Sequence, residues 1–118
     1  MTLHKDLPYL KHILDAINDI EESINNISKK EFKKNKDVKE ANIRRIEIIG
    51  EAVKNISEKT RKKYPEIKWK DIAGMRDKLM HHYFGVNLET VWKTIKKDIP
   101  NLKEKVIKIK ENLEKESK

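Results

Sequence analysis

The sequence contains no cysteine and only three glycines, three prolines and two phenylalanines in 118 residues. Without cysteine the chain forms neither disulfides nor thiolate metal sites, and nothing points to secretion. Neither a G-x-G-x-x-G pattern nor a P-loop occurs. No apolar run is long enough to cross a membrane, and charges and Pro8 interrupt the N-terminal stretch where a signal peptide would lie. We therefore expect a cytoplasmic protein with no membrane partner.

What the chain has in abundance is charge. Charged residues make up 41% of the sequence and hydrophobic ones 36%, a balance typical of water-facing helices with narrow apolar stripes. Lysine and arginine number 28 against 20 acidic residues, which gives a net charge of +8. That excess favours a polyanionic partner such as RNA. Abundant lysine and glutamate are also typical of hyperthermophile surfaces, so charge alone leaves both explanations open.

Apolar residues recur at steps of three and four along most of the chain, which predicts amphipathic helices. The spacing predicts helices over residues 7–27, 38–57 and 88–97, and a last helix that starts or kinks at Pro100. Strand signals are absent, because the isoleucines keep helical rather than alternating spacing. We therefore expect a single all-α domain over residues 1–118, an up-and-down bundle of four to five helices.

Local signals mark the boundaries of these helices. Asp6 is placed to cap the first helix, and Ser57 is placed to cap a short helix after the second. The basic connection over residues 28–37 is either a short helical turn or a loop. Gly50 falls inside the second helix, where glycine costs about 1 kcal/mol against alanine. We expect it to permit the close approach of another helix.

The residues that can do chemistry are concentrated between Gly74 and Gly85, in the stretch GMRDKLMHHYFG. Asp77 and His81 are four apart and share one face of a helix, so the carboxylate can orient the imidazole. Arg76 and His81 are five apart and diverge by about 140°. A site that uses both is therefore most simply completed by a second copy of the helix across a two-fold axis, which predicts a homodimer.

Arg76, His81 and Tyr83 match the Arg-x4-His-x-Tyr motif, and the chain resembles HepT-like proteins of the HEPN superfamily of all-helical ribonucleases. Further segments in family order are residues 49–52, 64–69 and 72–76. The resemblance implies a HEPN-like bundle that cleaves RNA as a homodimer, as the toxin of a type VII toxin-antitoxin system. It also implies that a minimal nucleotidyltransferase, the antitoxin, silences the enzyme by AMPylation of Tyr83.

Cleavage of this kind needs no metal and no cofactor. His81 would transfer the proton of the ribose 2′-hydroxyl, and Arg76 would stabilise the charge on phosphorus. Asp77 would orient either group. Glu51 is either an exposed helix carboxylate or a support for Arg76, and Tyr83 is either a core aromatic or the AMP acceptor.

Two other functions compete with the nuclease. On spacing alone, a surface cluster of salt bridges explains Arg76, Asp77 and His81 better than a nuclease site does. The family resemblance makes the nuclease site the better explanation. The first alternative is a non-catalytic helical dimer that binds a nucleotide or the nucleotidyltransferase. The second is a purely structural bundle.

Overall fold

The computed structural model describes residues 5–75, 77 and 88–116. Every regular element in these ranges is helical, and none is a strand. The α-helices that lie wholly within these ranges are α1 Leu7–Ile24, α2 Lys29–Lys34, α3 Lys36–Lys54, α4 Glu58–Lys63, α5 Trp69–Ala73, α6 Leu88–Lys93 and α7 Ile99–Glu116. A π-helical turn, Thr94–Asp98, joins α6 to α7. The predicted all-α, HEPN-like bundle is confirmed, and short capped helices such as α2 raise the count above four to five.

The core lies where α1 packs along α3 on one side and against α7 on the other. Each long helix contributes a stripe of fully or nearly fully buried side chains at three- and four-residue spacing. The central members are Leu10, Ile13, Ile17, Ile20, Ile46, Ile49, Val53, Val106, Ile109 and Leu113. Burying one such aliphatic side chain contributes roughly 1.5–3 kcal/mol. These stripes are the ones that the periodicity predicted.

The basic connection after α1 is a helix rather than a loop. Ser28 and Glu31 form a reciprocal capping box: the Ser28 hydroxyl accepts the Glu31 N–H, and the Glu31 carboxylate accepts the Ser28 N–H at 3.2 Å. Phe32 is 0% exposed, and its ring centroid lies 5.1 Å from that of Trp92. One buried aromatic residue therefore docks this lysine-rich helix onto α6.

Asp6 is the N-cap residue of α1, as predicted, but its side chain does not cap the helix. Its φ and ψ of −81° and −24° are helical, so its carboxylate does not fold back over the first turn, and it makes no cap hydrogen bond there. The carboxylate instead accepts the Ser57 N–H at 2.8 Å and the Ser57 hydroxyl at 2.7 Å, and also the Thr60 hydroxyl. Asp6 is 1% exposed. It thus connects the start of α1 to the start of α4.

Helix α3 ends at Lys54, three residues earlier than expected. Ser57 does cap α4, as predicted, by accepting the Thr60 N–H at 3.3 Å. The Arg61 guanidinium donates to the carbonyl oxygens of Val53 and Lys54, at 2.8 and 2.9 Å. These carbonyls lie in the last turn of the helix, where the regular intrahelical hydrogen bonds run out; that of Val53 also accepts the Ile56 N–H at 3.1 Å. A side chain of α4 therefore stabilises the end of α3.

The predicted helix over residues 88–97 and the last helix follow each other without a loop. Pro100 lies at the start of α7, directly after the π-helical turn. A proline inside a continuous α-helix would clash with the carbonyl four residues earlier, and here the residues that precede Pro100 form a π turn rather than a regular α-helix. Among the described residues, no helix is both long and apolar enough to cross a membrane.

Candidate functional site

Three of the predicted site residues, Arg76, His81 and Tyr83, lie outside the described residues. Their roles therefore stay predictions. The structure does show how the chain enters this stretch, because α5 ends directly before it and its first two residues, Gly74 and Met75, are described.

The two predicted supporting carboxylates are both exposed. Asp77 is exposed directly after Arg76. Glu51 lies on α3 with its side chain 64% exposed, and its carboxylate is 3.5 Å from the Lys54 ammonium one turn later. This position fits the simpler prediction of an exposed helix carboxylate. Support of Arg76 by Glu51 stays a prediction, since Arg76 is not among the described residues.

Helix α5, which leads into the motif, is held in place by buried contacts at its start. Trp69 is buried, and its indole N–H donates to the Tyr64 carbonyl oxygen at 3.0 Å. The Tyr64 hydroxyl in turn accepts the Asn112 side-chain amide at 3.1 Å, which joins this segment to α7. The Trp69 ring is thus buried in the core, and its polar N–H group is hydrogen-bonded. The start of α5 is therefore joined to α7 through Tyr64.

A cleft of about 600 Å³ lies beside α5, and α6, the π turn and α7 form its other side. Its lining includes the buried apolar side chains of Ile67, Ile99 and Leu102, and the hydroxyl-bearing Thr94, which is 6% exposed. Among the described residues that line it, lysines and carboxylates are equal in number. They are Lys68, Lys70, Lys105, Glu66, Asp71 and Asp98.

Sequence reasoning missed this cleft, because it brings residues 66–75 together with residues 90–105 across the motif. A local signal does exist. Thr90, Thr94 and Asp98 recur every four residues, which makes a polar stripe at helical spacing. Only packing against α5 turns that stripe into the wall of a cleft.

A second charged cluster joins α2 to α6. The Glu89 carboxylate accepts a hydrogen bond from the Lys29 ammonium at 2.9 Å and another from the Lys33 ammonium. Hydrogen bonding from Lys33 first, and then from Lys29, holds the pKa of Glu89 below its ordinary value. Two lysines of the basic helix are thus engaged within the protein. No three acidic or histidine side chains of the described ranges are grouped so that they could hold a metal ion.

The bundle and the Arg-x4-His-x-Tyr stretch that follows α5 define a HEPN-like domain. The family profile described as "Ribonuclease HepT-like" matches residues 13–109. The chain therefore belongs to the HepT-like ribonuclease family, as its resemblance predicted.

Curated relatives match over nearly the whole chain. A putative RNase of Caldanaerobacter subterraneus subsp. tengcongensis is 49% identical over 109 residues, which are 92% of this chain and 95% of the relative. A probable ribonuclease HepT of Thermococcus cleftensis is 48% identical over 107 residues, 91% of this chain and 96% of the relative.

A longer relative combines two activities in its name. It is a gamma-glutamylcyclotransferase and putative RNase of Methanocaldococcus jannaschii, 49% identical over 114 residues. These residues are 96% of this chain but 51% of the relative, so the chain spans about half the length of that protein. No solved structure gave a significant match.

Proposed function

We propose that this protein is a metal-independent RNA endonuclease and the toxin of a type VII toxin-antitoxin system. The observation that carries the proposal is the family match over residues 13–109, which includes the complete Arg76-x4-His81-x-Tyr83 motif. Relatives named as RNases, about half identical to this chain over most of its length, support the same activity. The net charge of +8 suits an RNA substrate.

The reaction proceeds by transfer within the RNA. His81 removes the proton of a ribose 2′-hydroxyl, and the resulting oxygen attacks the adjacent phosphorus. The bond from phosphorus to the 5′-oxygen breaks, which leaves a 2′,3′-cyclic phosphate. The departing 5′-oxygen takes a proton from the partner subunit's His81, so that the protons balance. Arg76 stabilises the charge of the pentavalent intermediate by bidentate hydrogen bonds, which a lysine provides less well.

Helical geometry supports the proposal of a homodimer. Arg76 and His81 diverge by about 140° if their helix is regular, so one chain does not easily place both around one phosphate. Two chains facing each other across a two-fold axis supply complementary sets. Asp77, which is exposed, would orient His81 or Arg76 in that cleft.

Silencing would act on Tyr83. An AMP group transferred to its hydroxyl by a minimal nucleotidyltransferase adds a negative phosphate with strong acceptor oxygens. Arg76 and Tyr83 are seven residues apart and return to one stripe of a helix, so the added phosphate competes with RNA for the guanidinium. The nucleotidyltransferase is then the antitoxin and the second partner of this protein.

The test is incubation of the freshly purified, unmodified protein with labelled RNA in EDTA. Wild type should cleave, and Arg76→Ala and His81→Ala should each lower the rate by at least about a hundredfold. Tyr83→Phe should cleave normally and resist AMPylation by the nucleotidyltransferase. Arg44→Ala, an exposed arginine on α3 that pairs with Glu47, is the matched control and should cleave like wild type.

Two outcomes would reject the nuclease. A requirement for added divalent metal contradicts the mechanism. Absence of cleavage, with retained binding of a nucleotide or of the nucleotidyltransferase, favours the non-catalytic dimer instead.

A further inference from the structure

The cleft beside α5 begins where the predicted catalytic stretch begins. Gly74 and Met75 both line it. Met75 is followed directly by Arg76, and consecutive Cα atoms across a trans peptide bond are about 3.8 Å apart. A group bound in the cleft is therefore next to the residue that is proposed to hold the reacting phosphate.

The lining suits a flat, partly polar group better than a phosphate. Among the described residues that line it, three lysines are matched by three carboxylates, so these six side chains together carry no net positive charge to attract an anion. Ile72, Ile99 and Leu102 supply apolar surface, while Thr94 and Asn101 supply hydrogen-bonding groups at the same site. A nucleobase has this combination, with apolar faces and polar edges. The volume of about 600 Å³ is within the usual range for a small-molecule site.

Two structural features shape this cleft. The Lys105 ammonium donates to the Glu66 carbonyl oxygen at 3.4 Å and joins α7 to the segment before α5. The π-helical turn contributes Thr94 and Asp98 to the lining. Turns of this type occur mostly as single interruptions of α-helices and often at functional sites.

Exposed cations stand at the edge of the cleft. Lys68 and Lys70 are exposed and line it, and neither forms an ion pair with any residue that the structure describes. They are free to contact the phosphates on either side of a bound base, as lysines do in nucleic-acid complexes.

We propose that this cleft binds the unstacked nucleobase of the RNA nucleotide next to the cleaved phosphodiester, and so sets the base preference of cleavage. The inference rests on the proposed ribonuclease function. Sequence-specific recognition of RNA commonly targets single-stranded bases whose edges are free to form hydrogen bonds. Thr94 and Asn101 are then specificity-determining residues, and Arg76 and His81 remain the catalytic ones.

The first test measures where an RNA with randomised single-stranded segments is cut. Thr94→Val removes a hydroxyl and nearly keeps the shape, and Asn101→Leu removes an exposed amide. Each should change the base preference at one position beside the cut by about tenfold. Asn18→Leu, which changes an exposed asparagine on α1, is the matched control and should keep the wild-type preference. Unchanged preference in both cleft variants would overturn the proposal.

The second test does not depend on cleavage. The four nucleosides are titrated into the full-length Arg76→Ala protein, and backbone amide signals are followed by NMR. At least one nucleoside should shift the signals of residues 70–75 and 94–105, and inorganic phosphate should not. Shifts in the absence of any wild-type cleavage would retain the base-binding cleft and reject the nuclease. No shift there with any nucleoside, or the same shifts with phosphate alone, would overturn the cleft proposal while leaving the nuclease intact.

Discussion

Gly50 of α3 lies directly against the backbone of Ala73 at the end of α5. A Cβ atom at position 50 would stand 3.3 Å from the Ala73 carbonyl oxygen and 3.4 Å from that of Ile72. Both atoms belong to the backbone, so neither turns aside as a flexible side chain would. The predicted close approach of another helix at Gly50 is confirmed. The helix concerned is the one that leads into the catalytic stretch.

We expect Gly50→Ala to destabilise the protein even though alanine is the better helix former. Alanine gains about 1 kcal/mol of helix propensity, but overpacking costs about 1–3 kcal/mol. A net loss of up to about 2 kcal/mol should appear in urea unfolding, and Gly50→Val should lose more. RNA cleavage should fall by more than the unfolded fraction explains, because the added methyl group displaces α5 and, with it, the motif that follows α5 in the chain.

The control for this substitution is Gly74→Ala, for which only the free energy of unfolding is compared. A Cβ atom there would meet the Lys70 carbonyl oxygen at 3.4 Å, an ordinary contact. If Gly50→Ala were more stable than Gly74→Ala and cleaved RNA at the wild-type rate, the close approach would have no functional role.

We expect Asp6→Asn to lower the free energy of unfolding by about 2 kcal/mol or more. The buried carboxylate accepts three hydrogen bonds from Ser57 and Thr60, and the amide keeps only one acceptor oxygen and no charge, so the hydrogen bonds that the two hydroxyls donate to the other oxygen are lost. Chemical unfolding measures the loss. Asp15→Asn, an exposed aspartate on the same helix, should stay within about 0.5 kcal/mol of wild type. Equal effects of the two variants would contradict the role given to Asp6.

We expect Glu89→Gln to destabilise the protein at neutral pH and to make no difference in acid. The pKa of Glu89 is lowered in the folded protein, first by Lys33 and then by Lys29. Its contribution is therefore complete above the ordinary glutamate pKa of about 4.3, and it is lost as the pH falls through the lower folded value.

Thermal unfolding of wild type and Glu89→Gln from pH 7 to pH 3 measures this difference. The gap in melting temperature should close toward pH 3 and should also shrink at high salt, because the ion pairs are exposed. Glu22→Gln, an exposed glutamate on α1, should show no such pH-dependent gap. A gap that stays constant with pH would show that charge is not the cause.

We expect Asn42→Leu to be at least as stable as wild type. Asn42 is 0% exposed between α1 and α3, and its amide nitrogen has no hydrogen-bond partner among the described residues. Its oxygen accepts from Ser23 and Arg45, but each of these also reaches a backbone carbonyl of α1. Removing the unpaired buried donor therefore leaves no new group unsatisfied, and a gain of up to about 1 kcal/mol is expected.

Urea unfolding of Asn42→Leu beside Asn42→Ala separates polarity from packing. The alanine variant leaves a cavity and should be clearly less stable. A leucine variant that is as unstable as the alanine variant would mean that the buried amide itself stabilises the contact between α1 and α3.

Periodicity predicted the long helices well, because burial of one helical face repeats every three to four residues. Helix ends were less predictable. Local spacing places Asp6 at the start of its own helix, but its carboxylate accepts hydrogen bonds from Ser57 and Thr60, 51 and 54 positions further along the chain. Likewise, α3 ends at Lys54, where Arg61 of the next helix meets its last carbonyls. Caps of this kind depend on neighbours that local spacing does not reveal.

Part of the candidate site could also be predicted from the sequence. Arg76, His81 and Tyr83 lie close together in the chain, so their spacing carried the family resemblance without any structure. The cleft beside them was not readable, because its two walls come from separate segments. Nothing in the local pattern of Lys70 or Asn101 indicates that they line the same cavity.

By itself, then, the sequence determined an all-helical protein of the HepT-like family, since helical periodicity and a short motif are both local properties of the chain. Tertiary structure alone decided which polar groups found partners across the bundle, and which surfaces remained open beside the motif. The reason is physical: Gly50 meeting Ala73, and Asp6 meeting Ser57, are contacts between distant segments that exist only after the helices pack.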